Sequence, residues 1–154
     1  MTEIFRTIED YPNYQVSNLG RVKSISHTII NKNGVKQYFN GRIRKINYDT
    51  GYGIVQLSKE GILYPEYVHK LVAKTFIPIP QELEYLSHEC WKNGRTKLEV
   101  NHIDENPHNN SVENLEWCDR TYNNNYGTKK KRLYFMGRIF YGSCKNGKLS
   151  FQRP

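Results

Sequence analysis

One segment of this chain carries an apolar period that settles its structure in advance. Val68, Leu71, Val72, Thr75 and Phe76 recur at i, i+3, i+4, i+7 and i+8, which puts them on one face of an amphipathic helix. Pro78 and Pro80 follow. Proline lacks the amide proton that a continuing helix needs, so the helix ends there. Its apolar face has to be covered by the rest of the chain.

The residues before the helix read as short strands and turns. Tyr14-Gln15-Val16-Ser17 runs into the turn signal Asn18-Leu19-Gly20, and Arg21 to Ile25 alternates polar and apolar. Asn33-Gly34 marks a second turn. Arg42-Ile43-Arg44-Lys45-Ile46 again sets apolar side chains among basic ones. Tyr52 to Ser58 and Leu63 to Tyr67 read as two strands joined at Lys59-Glu60-Gly61. The expectation is a small antiparallel sheet with one basic face.

After the helix, Gln81 to Leu98 is polar and reads as a loop or insertion. Leu98 to Ile103 is a short strand, and Asp104 to Asn110 is dense in turn formers. Leu115 to Cys118 is the returning strand. Asp119 is placed to cap a short helix reaching about Tyr126 and closed by Gly127. Beyond lie Lys129, Lys130, Lys131 and Arg132, then a hairpin turning at Asn146-Gly147.

Charge narrows the function classes. Lys and Arg outnumber Asp and Glu by 23 to 15, a formal net charge of +8 on 154 residues, which favours a polyanionic partner. Nucleic acid ranks first, because no segment has the apolar length to span a bilayer and none reads as a basic amphipathic anchor. The three cysteines, Cys90, Cys118 and Cys144, are widely spaced and form no C-x-x-C pair, which argues for a reducing cytosol over a disulfide framework. The start of the chain has no apolar signal-peptide core, and the expected location is cytoplasmic.

The chemistry concentrates between Val100 and Asn123. Strand, polar loop, strand and helix follow in that order, with His102 at the end of the first strand, Asn114 before the second and Asn123 one turn into the helix. Phosphodiester hydrolysis needs a base for water, which neutral imidazole supplies near pH 7, and a cation to offset charge on the phosphate. The side-chain oxygens of Asn101 and Asn123 are hard donors suited to Mg²⁺ or Mn²⁺.

The stretch VNHIDENPHNNSVENLEWCDRTYN resembles the HNH motif of phage and intron-encoded homing endonucleases, the ββα-metal or His-Me finger. IEDYPNYQVSNLGRVKS resembles the small N-terminal module that often precedes the motif, and VHKLVAKTF matches the element linking the two. The resemblance implies His102 as general base, Asn101 and Asn123 as metal ligands, and Asn114 as the residue that holds the loop and orients His102. It also implies an intracellular phage or intron-encoded protein acting in a bacterial host. Asn101 stands where many relatives have Asp, and the all-oxygen ligand set disfavours zinc.

The expected fold is α+β: a β-rich DNA-binding module over 1–67, a linking helix and ββα-metal unit over 68–127, and a basic tail over 128–154. Gln15, Asn18, Arg21, Lys23, Arg42, Arg44, Lys45, Lys129, Lys130 and Lys131 are the expected contacts to double-stranded DNA, Gln and Asn reading base edges and the basic groups holding phosphate. The expected function is metal-dependent cleavage of duplex DNA by a monomer. The alternatives are a DNA-binding module whose nuclease centre is weak or inactive, on account of the two neutral amides, and an RNA-directed version of the same finger.

Overall fold

The structure, a computed structural model, describes residues 2–88 and 97–127 and the backbone of two short strands near the C-terminus. The chain divides into two compact units, Met1–Asp119 and Arg120–Pro154.

The first unit opens with β1 (Phe5–Ile8), β2 (Tyr11–Ser17) and β3 (Val22–Ser24), an antiparallel sheet in that order. Alternation sorts its faces: Tyr14, Val16 and Val22 point into the core, while Gln15 and Lys23 lie opposite each other on the outer side. The β2–β3 turn reverses through Gly20 at φ +83°, a left-handed conformation that glycine adopts without strain. Ser17 fastens this turn, its Oγ accepting from Leu19 N and Arg21 N at 3.3 and 2.9 Å.

Next come a separate hairpin, β4 (His27–Ile30) with β5 (Lys36–Phe39), and a longer one, β6 (Ile54–Lys59) with β7 (Ile62–Tyr67). Glu60 and Gly61, both at positive φ, make the two-residue turn of the second hairpin. The β structure is thus spread over several small antiparallel sheets. The 42–46 segment lies against β3 through an isolated bridge, Lys23 to Ile43, and is not a strand of its own.

Helix α1 (Val68–Phe76) has the bounds that the apolar period predicts. Its first amide is satisfied by Gly53 O at 2.9 Å, and it buries Val68, His69, Leu71, Val72 and Ala73. Its apolar side chains pack with Val16, Val22, Val55, Leu57, Val100 and Leu115 in one cluster, so the sheets before the helix and the hairpin after it share a core. Burying a Val or Leu side chain is worth about 1.5–3 kcal/mol each, which makes this shared core the main source of stability.

The polar stretch after the helix is less irregular than expected. A 3-10 turn at Gln81–Leu83 runs into α2 (Glu84–His88), and Leu86 is buried. Gln, Glu and Leu are good helix formers, and Pro80 stands just before the first turn, where its missing amide proton costs nothing. The hairpin of β8 (Glu99–His102) and β9 (Leu115–Cys118) follows. Trp117 ties it to the end of α1, donating from Nε1 to Ile77 O at 2.9 Å.

In the second unit, α3 (Arg120–Asn125) begins directly after Asp119. The strands β10 (Ser143–Lys145) and β11 (Lys148–Ser150) pair antiparallel on either side of positions 146 and 147, which lie outside the described residues, as do Lys129, Lys130 and Lys131. Among the described residues no helix is long and apolar enough to cross a membrane.

Candidate active site

The site grows from the β8–β9 register. Asn101 faces Glu116 and His102 faces Leu115 across the hairpin, and both Asn101 and His102 are buried. Asn101 Nδ2 donates to Glu116 Oε1 at 2.8 Å. That bond orients the carboxamide: its nitrogen is committed to the carboxylate, and Oδ1 is the atom it can offer to a cation. Glu116 also sets a negative charge directly behind a neutral amide.

His102 is held through Nε2, 3.1 Å from Asn110 Oδ1. An amide oxygen can only accept, so Nε2 carries the proton and Nδ1 of the neutral ring carries the lone pair. Asn110 is itself buried. The loop between the strands is braced from inside. Asn114 Nδ2 donates to Asp104 Oδ1 and to Asn109 O, each at 2.8 Å, while its Oδ1 accepts from Asp104 N at 3.0 Å. Asn114 O accepts from Ile103 N at 2.8 Å, beside His102. Hydrogen bonds from the Asn109 side chain, the Asn106 backbone and Asn114 hold the Asp104 carboxyl below the usual range.

A second imidazole stands against the first. The rings of His69, near the start of α1, and His102 are 5.2 Å apart and close to perpendicular, and Tyr52 lies 5.3 Å from His69 and 6.0 Å from His102. Tyr67 closes the group at 5.5 Å from His69. Burial, reinforced by His102 and Lys70, pushes the His69 pKa down to about 3. Among the described residues, His69 Nδ1 is buried without a hydrogen-bond partner.

The expected residues divide in three. Asn101, His102 and Asn114 come together around the hairpin. Asn123 lies on α3 in the second unit. The expected basic contacts that are described sit around β3: Gln15 pairs with Lys23, Lys23 Nζ lies 4.0 Å over the Phe5 ring, and Arg42 and Lys45 are exposed. Arg44 reaches Gln56 O at 3.4 Å. Arg21 is exposed but ion-paired with Glu3. Asn18 departs from expectation. It is buried, with Oδ1 accepting from Ile4 N at 2.8 Å and Nδ2 donating to Thr2 O at 3.1 Å, so its carboxamide is spent inside the fold and cannot read a base edge.

Two residues of the site were not singled out by sequence reasoning, and a third, His69, stood undecided between packing and a phosphate contact. Asn110 is one of four asparagines between 104 and 114, and nothing in their spacing separates it from the others. Glu116 was legible only as a strand residue. His69 carried a weak signal, a histidine beside the apolar face of a helix.

A buried, tautomer-defined histidine and a hard oxygen donor on adjacent positions of a hairpin, with a helix next in the chain, define the ββα finger of the HNH type. Residues 3–58 match the NUMOD4 motif. Two uncharacterized HNH endonucleases of Acanthamoeba polyphaga mimivirus are 28% identical over 116 residues and 33% identical over 114 residues. These alignments cover 75% and 74% of this chain but only 27% and 22% of the relatives, so the chain spans about a quarter of their length. The HNH homing endonuclease I-HmuI, solved in a study of its DNA binding and cleavage, superposes with a TM-score of 0.54 at 28% identity, covering 90% of this chain and 62% of that one. This chain is a NUMOD4-bearing relative of the HNH homing endonucleases.

Proposed function

We propose that this chain is a metal-dependent endonuclease that hydrolyses phosphodiester bonds of duplex DNA inside the cell. The observation that carries the reading is the His102 imidazole held through Nε2 by Asn110, next to an Asn101 carboxamide turned by Glu116 to present its oxygen. His102 Nδ1 takes the proton from the attacking water. The water oxygen bonds to phosphorus as the P–O bond to the 3′ oxygen breaks, that oxygen takes a proton from solvent, and the positive charge that His102 has gained and the surrounding dipoles offset charge on the phosphate.

The donor chemistry fits a divalent cation. Asn101 Oδ1 is a hard oxygen, and the resemblance of the motif, not any measured distance, assigns Asn123 on α3 as the second. Mg²⁺ or Mn²⁺ suits such a set and zinc does not. When bound, the ion supplies Lewis-acid stabilisation of the phosphate and the leaving oxygen. The Glu116 carboxylate behind Asn101 returns part of the charge lost with an amide in place of a carboxylate. This favours an active centre over the alternative of a DNA-binding module with an inactive one.

Gln15, Lys23, Arg42, Arg44 and Lys45 around β3 form the described part of the DNA-facing surface, and Lys129, Lys130 and Lys131 add phosphate contacts. Incubating supercoiled plasmid carrying source-genome DNA with Mg²⁺ tests the reading. Relaxed or linear product supports it, and intact plasmid at every sequence tried removes it.

A further inference from the structure

We propose that the β2–β3 turn of the NUMOD4 region is a working part of the nuclease centre: Gly20 sets the position of Asn110, and Asn110 sets the orientation of His102. The inference rests on His102 being the general base.

The turn and the catalytic loop meet with no space between them. A Cβ built on Gly20 would stand 2.7 Å from Asn110 Cβ and 3.1 Å from Asn110 O, well inside van der Waals contact. Asn18 O accepts from Val112 N at 2.8 Å, binding the same turn to the loop two residues beyond Asn110. The Asn18 carboxamide anchors the turn in its other direction, to Thr2 and Ile4. Gly53 also comes near: a Cβ there would meet Tyr48 Cε1 at 2.9 Å and Ile46 Cγ2 at 3.1 Å, and Asn110 Nδ2 at 3.3 Å. Asn110 is therefore pressed against Gly20, and from there its Oδ1 reaches His102 Nε2.

The turn also belongs to the candidate DNA surface. Arg21 follows Gly20 directly, and Gln15 and Lys23 lie on the two strands that the turn joins. A shift of this sheet on the duplex is passed to the base through the Gly20–Asn110 approach and the Asn18–Val112 hydrogen bond. Gly20 is thus a positioning residue acting through Asn110, and Asn18 holds the same turn to the loop at Val112.

The test compares Gly20→Ala with Gly61→Ala. Both glycines have positive φ, +83° and +80°, but nothing lies within 4 Å of a Cβ on Gly61, so the second variant carries the backbone strain without the contact. Two readouts are taken: the ¹⁵N signals of the His102 ring at one pH, and single-turnover cleavage of the source-genome plasmid beside DNA affinity. Displacing a reacting group by about 1 Å costs about 10²-fold in rate.

Gly20→Ala is expected to move the His102 signals away from the Nε2–H form and to slow cleavage of bound DNA by about 10–100-fold, while Gly61→Ala does neither. Unmoved His102 signals in Gly20→Ala, or equal slowing in both variants, overturns the proposal. If Gly20→Ala does not fold, Asn110→Ala, which removes the acceptor of His102 Nε2, is expected to move the ring signals in the same way, and unmoved signals overturn the proposal. If the wild type cleaves nothing, the nuclease reading fails, and the ring signals still decide whether the turn orients His102.

Discussion

Acid should destabilise this protein through His69, in a pH range above the ordinary carboxylate values. The imidazole is buried, only 6% exposed, and its pKa falls from 6.5 to about 3 in the folded chain. Below 6.5 the unfolded chain takes up a proton that the folded chain refuses until about 3. The unfolded state therefore binds more protons, stability rises with pH across this window, and acid removes it. Each pH unit inside the window is worth about 1.4 kcal/mol, so the loss reaches about 2 kcal/mol at pH 5. With a urea dependence of about 1–3 kcal/mol per molar, that is a drop of about 1 M in the midpoint.

The assay is urea unfolding at pH 7 and pH 5 of the wild type and of His69→Phe. Phenylalanine keeps a ring between Tyr52, Tyr67 and His102 and takes up no proton. The wild-type midpoint should fall by about 1 M more than that of the variant between the two pH values. Equal falls in both proteins would refute the argument, because the proton-linked loss would then lie elsewhere.

Three other changes separate roles that the sequence alone leaves together. Glu116→Gln removes the charge behind Asn101 while keeping a hydrogen-bond acceptor, and should weaken Mn²⁺ binding by about tenfold, read by electron paramagnetic resonance of free Mn²⁺ without any DNA. Lys23→Ala should lower the salt dependence of DNA binding by about one counterion. Asn18→Ala should leave that slope alone and cost about 1–3 kcal/mol of stability, because Ile4 N loses its buried partner.

What was legible in the sequence was what short-range chemistry decides. The bounds of α1 follow from the spacing of Val68, Leu71, Val72 and Phe76, and the β6–β7 turn follows from a glycine at a position that needs positive φ. The β8–β9 hairpin follows from two apolar stretches around a loop of turn formers. The helix at Glu84–His88 escaped because it is five residues long and Leu86 is its one aliphatic side chain in a polar setting. The motif picked out Asn101, His102 and Asn114, yet it could not show what holds them. Which of four loop asparagines reaches His102 depends on the close approach of Gly20, some ninety residues earlier in the chain. Asn18 read as a groove contact because exposed asparagines near basic residues often are; its burial depends on Thr2 and Ile4 folding back over it. Glu116 became part of the site only once the strand register set it opposite Asn101.

The most direct measurement of the central claim is cleavage of supercoiled plasmid carrying source-genome DNA, with Mg²⁺, by the wild type and by His102→Ala, with DNA affinity measured alongside. The account predicts relaxed or linear product from the wild type, a rate lower by about 10²–10⁴-fold in His102→Ala, and the same affinity in both. A wild type that binds the DNA and leaves it intact, or a His102→Ala protein that cuts as fast as the wild type, would contradict it.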